Sequence, residues 1–222
     1  MTMPVNKRLL AFYAVIAVSL IGLTYFVQIH PVSGFDLYMT RAIQALQARD
    51  LTLVMEFISM FGDMGMAPLS ILIVSLIFFR TRYPREGWYT LSLAIPDLLN
   101  ILMKIAIHRP RPTIEDAQIL LRFTQTGFPS GHVVHYVVFF GFLIVVMYAN
   151  KKILPSWRIF ISIFSAFLIL TVSISRIYLG AHWATDVLGG YLFGFIYLGV
   201  ILKFYLNRGG LKDPEFLGQK AQ

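Results

Sequence analysis

The sequence predicts an all-α protein: a polytopic membrane bundle of six transmembrane helices with both termini in the cytoplasm. Three observations predict it. Mean hydropathy is +0.70, and only 14% of the 222 residues are charged, far below a soluble domain of this length. Six apolar runs, at 9–28, 66–79, 88–107, 133–149, 154–174 and 187–206, match or approach the length needed to cross a hydrocarbon core of about 30 Å. The charges in the connecting segments are distributed asymmetrically.

The run at 9–28 follows Lys7 and Arg8 and lacks a small-residue cleavage site, so it reads as an uncleaved anchor. The run at 66–79 is short for a span. It either extends backward through "LTLVMEFISMFGDMG", residues 51–65, or that stretch is a helix lying at the interface. Within 88–107, Asp97, Asn100 and Lys104 fall at i, i+3 and i+7, which turns one polar face toward the bundle interior. Gly190-x3-Gly194 in the last run permits close helix approach, read here as packing within the chain rather than a dimer seam. Trp88 and Trp157 fall at expected cytoplasmic ends and Trp183 at an outer end, as interfacial anchors would. No repeat or composition shift divides the chain, so residues 1–222 are expected to form one membrane-embedded domain.

Orientation follows from the loops. One side holds twelve lysines and arginines against three acids: Lys7, Arg8, Arg80, Arg82, Arg85, Lys151, Lys152, Arg158, Lys203, Arg208, Lys212 and Lys220 against Glu86, Asp213 and Glu215. The other holds seven basic residues, Arg122 among them, against eight acidic ones. The positive-inside rule places the first side in the cytoplasm. The net charge of +8 is thus a matter of topology, and no nucleic-acid partner is expected. The absence of cysteine excludes disulfides and thiolate zinc sites.

Three short stretches then face the outside together. In "KIAIHRPRP", residues 104–112, Pro110 and Pro112 end the helix near His108, and Lys104 points up toward Arg111. Taken alone, the lysine equally well snorkels to the interface and the arginines meet lipid headgroups. In "FPSGHVVH", residues 128–135, Pro129 and Gly131 make a turn, Ser130 is a candidate N-cap, and the gathered N–H groups suit an anion. An ordinary cap with an interfacial histidine explains that fragment as well. In "SRIYLGAHWATD", residues 175–186, His182 and Asp186 share a face if the last helix begins near Gly180. A carboxylate on one ring nitrogen would leave the other free to attack. Arg176 offers a fork for phosphate oxygens, while the simpler reading is a first-turn acid and an interfacial anchor. His30, His108 and His135 read as interfacial or supporting groups, with His108 and Arg109 near enough to touch a headgroup. Glu56 and Asp63 are assigned to an outer helix that shapes substrate entry.

Lys104 to Arg111–Pro112, Pro129–Ser130–Gly131–His132, and Ser175–Arg176 to His182 to Asp186 occur in this order and spacing. Together they resemble the three-part signature of the type 2 phosphatidic acid phosphatase (PAP2) superfamily, with no departure at a defining position. The resemblance covers roughly the last 120 residues, with the signature at about 104–186. The vanadium haloperoxidases that share the signature are soluble, which six apolar spans argue against. The resemblance implies His182 as nucleophile forming a phosphohistidine, Asp186 orienting it, and His132 as general acid and then base. It implies Lys104, Arg111, Ser130, Gly131 and Arg176 as phosphate ligands, with no metal and no cofactor. The expected substrate is a lipid phosphate in the bilayer, of the undecaprenyl diphosphate, phosphatidate or phosphatidylglycerophosphate class. An outward-facing site in a bacterial cytoplasmic membrane suits the first of these. The alternatives are a lipid phosphotransferase, a non-enzymatic lipid-phosphate binder or transporter, and a metal site built from His132, His135, His182 and Asp186. Oligomeric state is not legible.

Overall fold

The computed structural model describes residues 7–121 and 126–206, so Arg122 and the basic C-terminal segment used for orientation lie outside the described residues. All regular structure among the described residues is helical. The helices are α1 (Lys7–Ile29), α2 (Gly34–Gln44), α3 (Arg49–Met60), α4 (Met66–Arg80), α5 (Pro84–Ser92), α6 (Ala94–Ile107), α7 (Gly131–His135), α8 (Gly141–Ala149), α9 (Pro155–Tyr178) and α10 (Ala184–Tyr205).

Each apolar run of the sequence becomes helix, with informative differences. Five helical stretches are long and apolar enough to cross a membrane: Lys7–Ile29, Pro84–Ile107, Gly131–Ala149, Pro155–Tyr178 and Ala184–Tyr205. The sixth, α4, has 15 residues, a rise of only about 22 Å. It does not extend backward, because a turn at 61–65 separates it from α3, so the stretch 51–65 forms an element of its own. The third span is two helices, α5 and α6, broken at Leu93. Pro96 has no N–H to offer the Ser92 carbonyl, which accounts for the break. The fourth is continuous from Gly131 to Ala149 through a π-helical turn at Tyr136–Phe140, a wide turn often found beside functional sites.

Gly131–Ala149 is the buried axis of the bundle. Val133, Val134, Tyr136, Val137, Val138, Phe142 and Val146 are almost fully enclosed, with Leu168 and Val172 of α9 against them. Long stretches of α1, α4 and α9 expose leucine, isoleucine and phenylalanine instead, as expected of helix faces solvated by lipid. Close approach of α10 to this axis depends on two glycines. A Cβ on Gly190 would lie 2.8 Å from Val133 Cβ and 2.9 Å from the Ser130 carbonyl oxygen, and one on Gly194 would lie 2.9 Å from Val137 Cβ. The Gly190-x3-Gly194 pair therefore serves packing within the chain.

Helix α2 was not expected. Ser33 caps it, accepting from the Asp36 N–H at 3.1 Å while Asp36 Oδ2 accepts from the Ser33 hydroxyl at 2.7 Å. Helix α3 packs on α9 and braces its C-terminal end. Ser175 donates to the Met55 carbonyl at 2.7 Å, Arg176 donates to Ser59 Oγ, and Tyr178 bonds Ala48 and Thr52. Trp88 and Trp157 are exposed, but Trp183 is fully buried and donates its indole N–H to the Pro110 carbonyl at 3.2 Å. It is a core residue, and not the interfacial anchor expected of it.

Replacing Gly190 with Leu is predicted to destabilise the bundle by about 1–3 kcal/mol through overpacking against Val133 and the Ser130 backbone. Thermal unfolding of the detergent-solubilised protein measures this. An unchanged midpoint would mean that α10 does not seat on 131–137 as described.

Candidate active site

Histidine 182 lies in the short turn between α9 and α10. The Arg176 carbonyl accepts both the Ala181 and His182 N–H groups, which ends α9 and sets the ring at the bundle edge. Gly180 makes this turn possible. Its φ is +68°, and a Cβ there would meet the Gln118 carbonyl oxygen at 2.3 Å. Helix α10 begins at Ala184 and not near Gly180. His182 therefore precedes the helix and does not share a helical face with Asp186. The pair meets because Asp186, in the first turn, folds back over the helix start. Its Oδ2 accepts from the Trp183 N–H at 3.1 Å and from His182 Nδ1 at 3.2 Å.

The neighbours of His182 fix its tautomer. An ionised carboxylate only accepts, so Nδ1 carries the proton. On the other side Arg111 Nη1 lies 3.3 Å from Nε2, and a guanidinium only donates, so Nε2 presents its lone pair. Burial, followed by the positive fields of Arg111, Lys104, Arg176 and His132, holds the imidazole well below its ordinary value. The ring is neutral at rest, with one nitrogen lone pair facing the cavity side. Burial also lowers Arg111, with Asp186 partly offsetting it, to about 10, which leaves it cationic near neutrality.

A cavity of about 700 Å³ opens beside this ring. Lys104, Arg111, Gly131, His132 and His182 line it together with Asp63, Asp97, Asn100 and His135. Its remaining wall is apolar: Ala67, Pro68 and Ile71 from α4, and Ala94, Leu98 and Ile101 from α6. Lys104 Nζ donates to the Thr126 and Gly127 carbonyls at 2.8 and 3.1 Å, so it reaches the 126–131 segment and does not snorkel outward. That segment passes through a cis Phe128–Pro129 bond and is tied to α10 by Ser130 N–H donating to the Asp186 carbonyl at 3.0 Å.

Ser130 flanks the start of α7, but its hydroxyl makes no capping bond. The buried Ser130 Oγ has no hydrogen-bond partner among the described residues. Arg176 is fully buried on the α3 side. Arg176, Asp186 and Ser130 stand behind the cavity wall, whereas the other five expected site residues reach its surface.

Folding brings four more residues to the site in places that their sequence positions do not suggest. Asp63, in the α3–α4 turn, lies 3.0 Å from His132 Nε2, and Gly62 leaves room for that ring, since a Cβ there would meet it at 2.6 Å. The hydrogen bond from His132 holds the Asp63 carboxyl below its usual range despite partial burial, helped by the fields of His132 and Arg176. Arg109 does not reach a headgroup. It is 2% exposed and bonds Asp36, Asp186 and Thr185. Thr185 and Asp36 complete that buried group. Nothing in local sequence pairs residues 36, 109 and 185; only the Ser33-x2-Asp36 capping pattern hinted that α2 exists. His135 is buried and bonded to Asp97 at 3.1 Å. His132, His135 and His182 are thus each engaged by a different carboxylate, and among the described residues no three histidines or acids converge as metal ligands.

The fold is that of a membrane-embedded phosphoric ester hydrolase. The chain belongs to the PAP2 superfamily, whose family model matches residues 85–209. It is 28% identical over 183 residues to phosphatidylglycerophosphatase B of Bacillus subtilis (strain 168), covering 80% of this chain and 84% of that one. It is 31% identical over 166 residues to an undecaprenyl-diphosphatase of Sulfolobus acidocaldarius, covering 72% and 74%. Among solved structures, the transmembrane PAP2-type phosphatidylglycerolphosphate phosphatase of Bacillus subtilis superposes with a TM-score of 0.75 at 26% identity, over 88% of this chain and 96% of that chain. Aquifex aeolicus LpxE shares the fold, with a TM-score of 0.56 at 23% identity, over 75% of this chain and 94% of that chain.

Asp63→Asn is predicted to lower kcat by about tenfold with little change in KM, because it leaves the His132 ring without its carboxylate. Steady-state kinetics on a lipid phosphate in mixed micelles measures it. A kcat equal to that of the unaltered protein would remove Asp63 from the acid–base machinery.

Proposed function

We propose that this protein hydrolyses the terminal phosphate of a lipid phosphate or diphosphate through a phosphohistidine on His182, at the extracytoplasmic face of a bacterial cytoplasmic membrane. The observation that carries the reading is the clamped ring of His182, with Nδ1 on Asp186 and Nε2 beside Arg111 at a cavity that is cationic at one end and apolar at the other. Six spans, cytoplasmic termini and a single domain over 1–222 belong to the same proposal. They are supported by the loop charges and by the first 84 residues contributing Asp36 and Asp63 to the site.

In the first step His182 Nε2 attacks phosphorus in line with the leaving oxygen. The N–P bond forms, the P–O bond breaks, and the leaving oxygen takes a proton from His132, which enters the step as the imidazolium paired with Asp63 and leaves it neutral. In the second, water gives a proton to His132 while its oxygen bonds phosphorus, the N–P bond breaks, and the electron pair returns to Nε2. Lys104, Arg111 and Arg176, with Ser130 Oγ and the Gly131 N–H, hold the non-bridging oxygens. Phosphoryl transfer asks mainly for this positioning and charge stabilisation. The hydroxyl of Ser130, buried without a partner among the described residues, is a donor in waiting for such an oxygen.

The apolar wall between α4 and α6 suits acyl or prenyl chains entering sideways from the bilayer. Undecaprenyl diphosphate, phosphatidylglycerophosphate, phosphatidate and lipid A phosphates form the test panel, and release of inorganic phosphate from each identifies the substrate. Acceptor-dependent turnover with little free phosphate would instead reveal a phosphotransferase.

His182→Ala is predicted to abolish phosphate release and alkali-stable labelling of the protein, with an unchanged elution volume in detergent. Near-normal release across the panel by that variant would sink the mechanism. Ile101→Trp, which narrows the apolar wall, is predicted to raise KM severalfold for a lipid phosphate while leaving p-nitrophenyl phosphate hydrolysis unaffected. Equal effects on both substrates would argue against lateral entry at this wall.

A further inference from the structure

Behind the ring of His182 runs a chain of buried charges alternating in sign. Asp186 Oδ2 takes the ring N–H, while Oδ1 takes Arg109 Nη1 at 2.5 Å. Arg109 Nη2 donates to Asp36 Oδ2 at 2.8 Å, and its Nε to the Pro31 carbonyl at 2.9 Å. Arg109 Nη1 also donates to Thr185 Oγ1 at 2.7 Å, whose hydroxyl in turn donates to Asp36 at 2.8 Å. Asp36 Oδ1 further accepts the Thr185 N–H at 2.9 Å. Asp36 and Asp186 are completely buried. The two carboxylates and one guanidinium leave one negative charge enclosed, which is costly if unmatched.

Lys104 and Arg111 feel that charge from the cavity side, and it gains its nearest match at one stage of the proposed reaction. When Nε2 bonds phosphorus, the ring keeps its Nδ1 proton and becomes cationic. The groups that act on the ring from the cavity side are Arg111, Lys104 and His132, which line the cavity, and Arg176, which lies behind its wall. All oppose a cation on the ring until a phosphate dianion answers them. The group behind it favours that cation throughout. Resting on the phosphohistidine reading, we propose that Asp36 and Thr185, acting through Arg109, are positioning residues that fix the charge behind His182 so that it is balanced when the ring is phosphorylated. Asp36 comes from α2, outside the 85–209 region that the family model matches. A fixed dipole and charge arrangement of this kind needs no rearrangement as the cation develops.

The test is a charge cycle. Asp36→Asn removes one negative charge, Arg109→Gln removes the positive one, and the double variant returns the group to a single negative charge. The probe is phosphatidate labelled in its phosphate, in detergent micelles, with phosphohistidine trapped by alkaline quench during turnover. Asp36→Asn is expected to lower the trapped fraction and kcat about tenfold, with little change in KM. Its acid-side break in kcat/KM moves down by roughly one pH unit, because a disfavoured imidazolium forms only at lower pH. Arg109→Gln shifts the trapped fraction and the break upward, and the double variant returns both toward the unaltered protein.

A purely structural clamp predicts the reverse pattern: losses in one direction, deepest in the double variant. That result overturns the proposal, as does an Asp36→Asn variant with unchanged labelling and pH profile. Where Arg109→Gln does not fold, recovery of the double variant relative to Asp36→Asn decides the question. Where neither Arg109 variant folds, Asp36→Asn decides it alone. Labelling that persists in His182→Ala would sink the parent mechanism, whereas an inert His182→Ala beside a neutral Asp36→Asn would sink only this inference.

Discussion

A charge enclosed among apolar helices must find its partner inside the protein, because neither lipid nor a dry core will solvate it. The guanidinium of Arg109 meets that constraint for three chain segments at once. It binds Asp36 at the head of α2, Asp186 at the head of α10, and the Pro31 carbonyl that follows α1. The position of Asp186 sets His182, and the Asp186 carbonyl also holds the Ser130 N–H, so the same junction orients the His182 ring and the start of the central helix. If this one cation were displaced, two buried carboxylates would be left uncompensated and the site would lose its floor.

Two electrostatic surfaces meet at His182. On the cavity side stand Lys104 and Arg111, with Arg176 behind them, and these suit a phosphate dianion. On the far side stands a carboxylate pair held by one arginine. The neutral imidazole lies between them, kept neutral by burial and by the cations it faces. The polar end of the cavity thus suits a charged phosphate, and its apolar wall between α4 and α6 suits a hydrocarbon chain. Helix α3 contributes by bracing the end of α9, through Ser175, Arg176 and Tyr178, rather than by lining the cavity.

Much of this was legible from residue order. Apolar run length placed the helices, and Lys104, Arg111, His132, Arg176, His182 and Asp186 stood out as polar residues at apolar boundaries in a specific spacing. Arg109 was misread because its neighbours in sequence, Pro110 and Arg111, suggest an exposed loop, whereas its partners are 73 and 77 positions away. Trp183 was misread in the same way, as a tryptophan at a helix end that folding turned inward. Asp63 is expected on an outer helix that shapes substrate entry, because nothing local brings it to a histidine 69 residues distant.

The sequence by itself determined that the chain is helical and membrane-embedded, and it singled out three segments that meet around one cavity. Both follow from local physics: the hydropathy and length of each run, and residue types too costly to leave unpaired near a bilayer. Only the tertiary structure decided how those charges are shared. It folded Asp186 back over a helix that begins later than its spacing suggested. It brought Asp36 and Asp63 from the chain's first half to the two histidines' surroundings, and turned Arg109 from solvent into the core. Charge pairing acts over a few ångströms in space with no regard for separation along the chain, so no local pattern could reveal it.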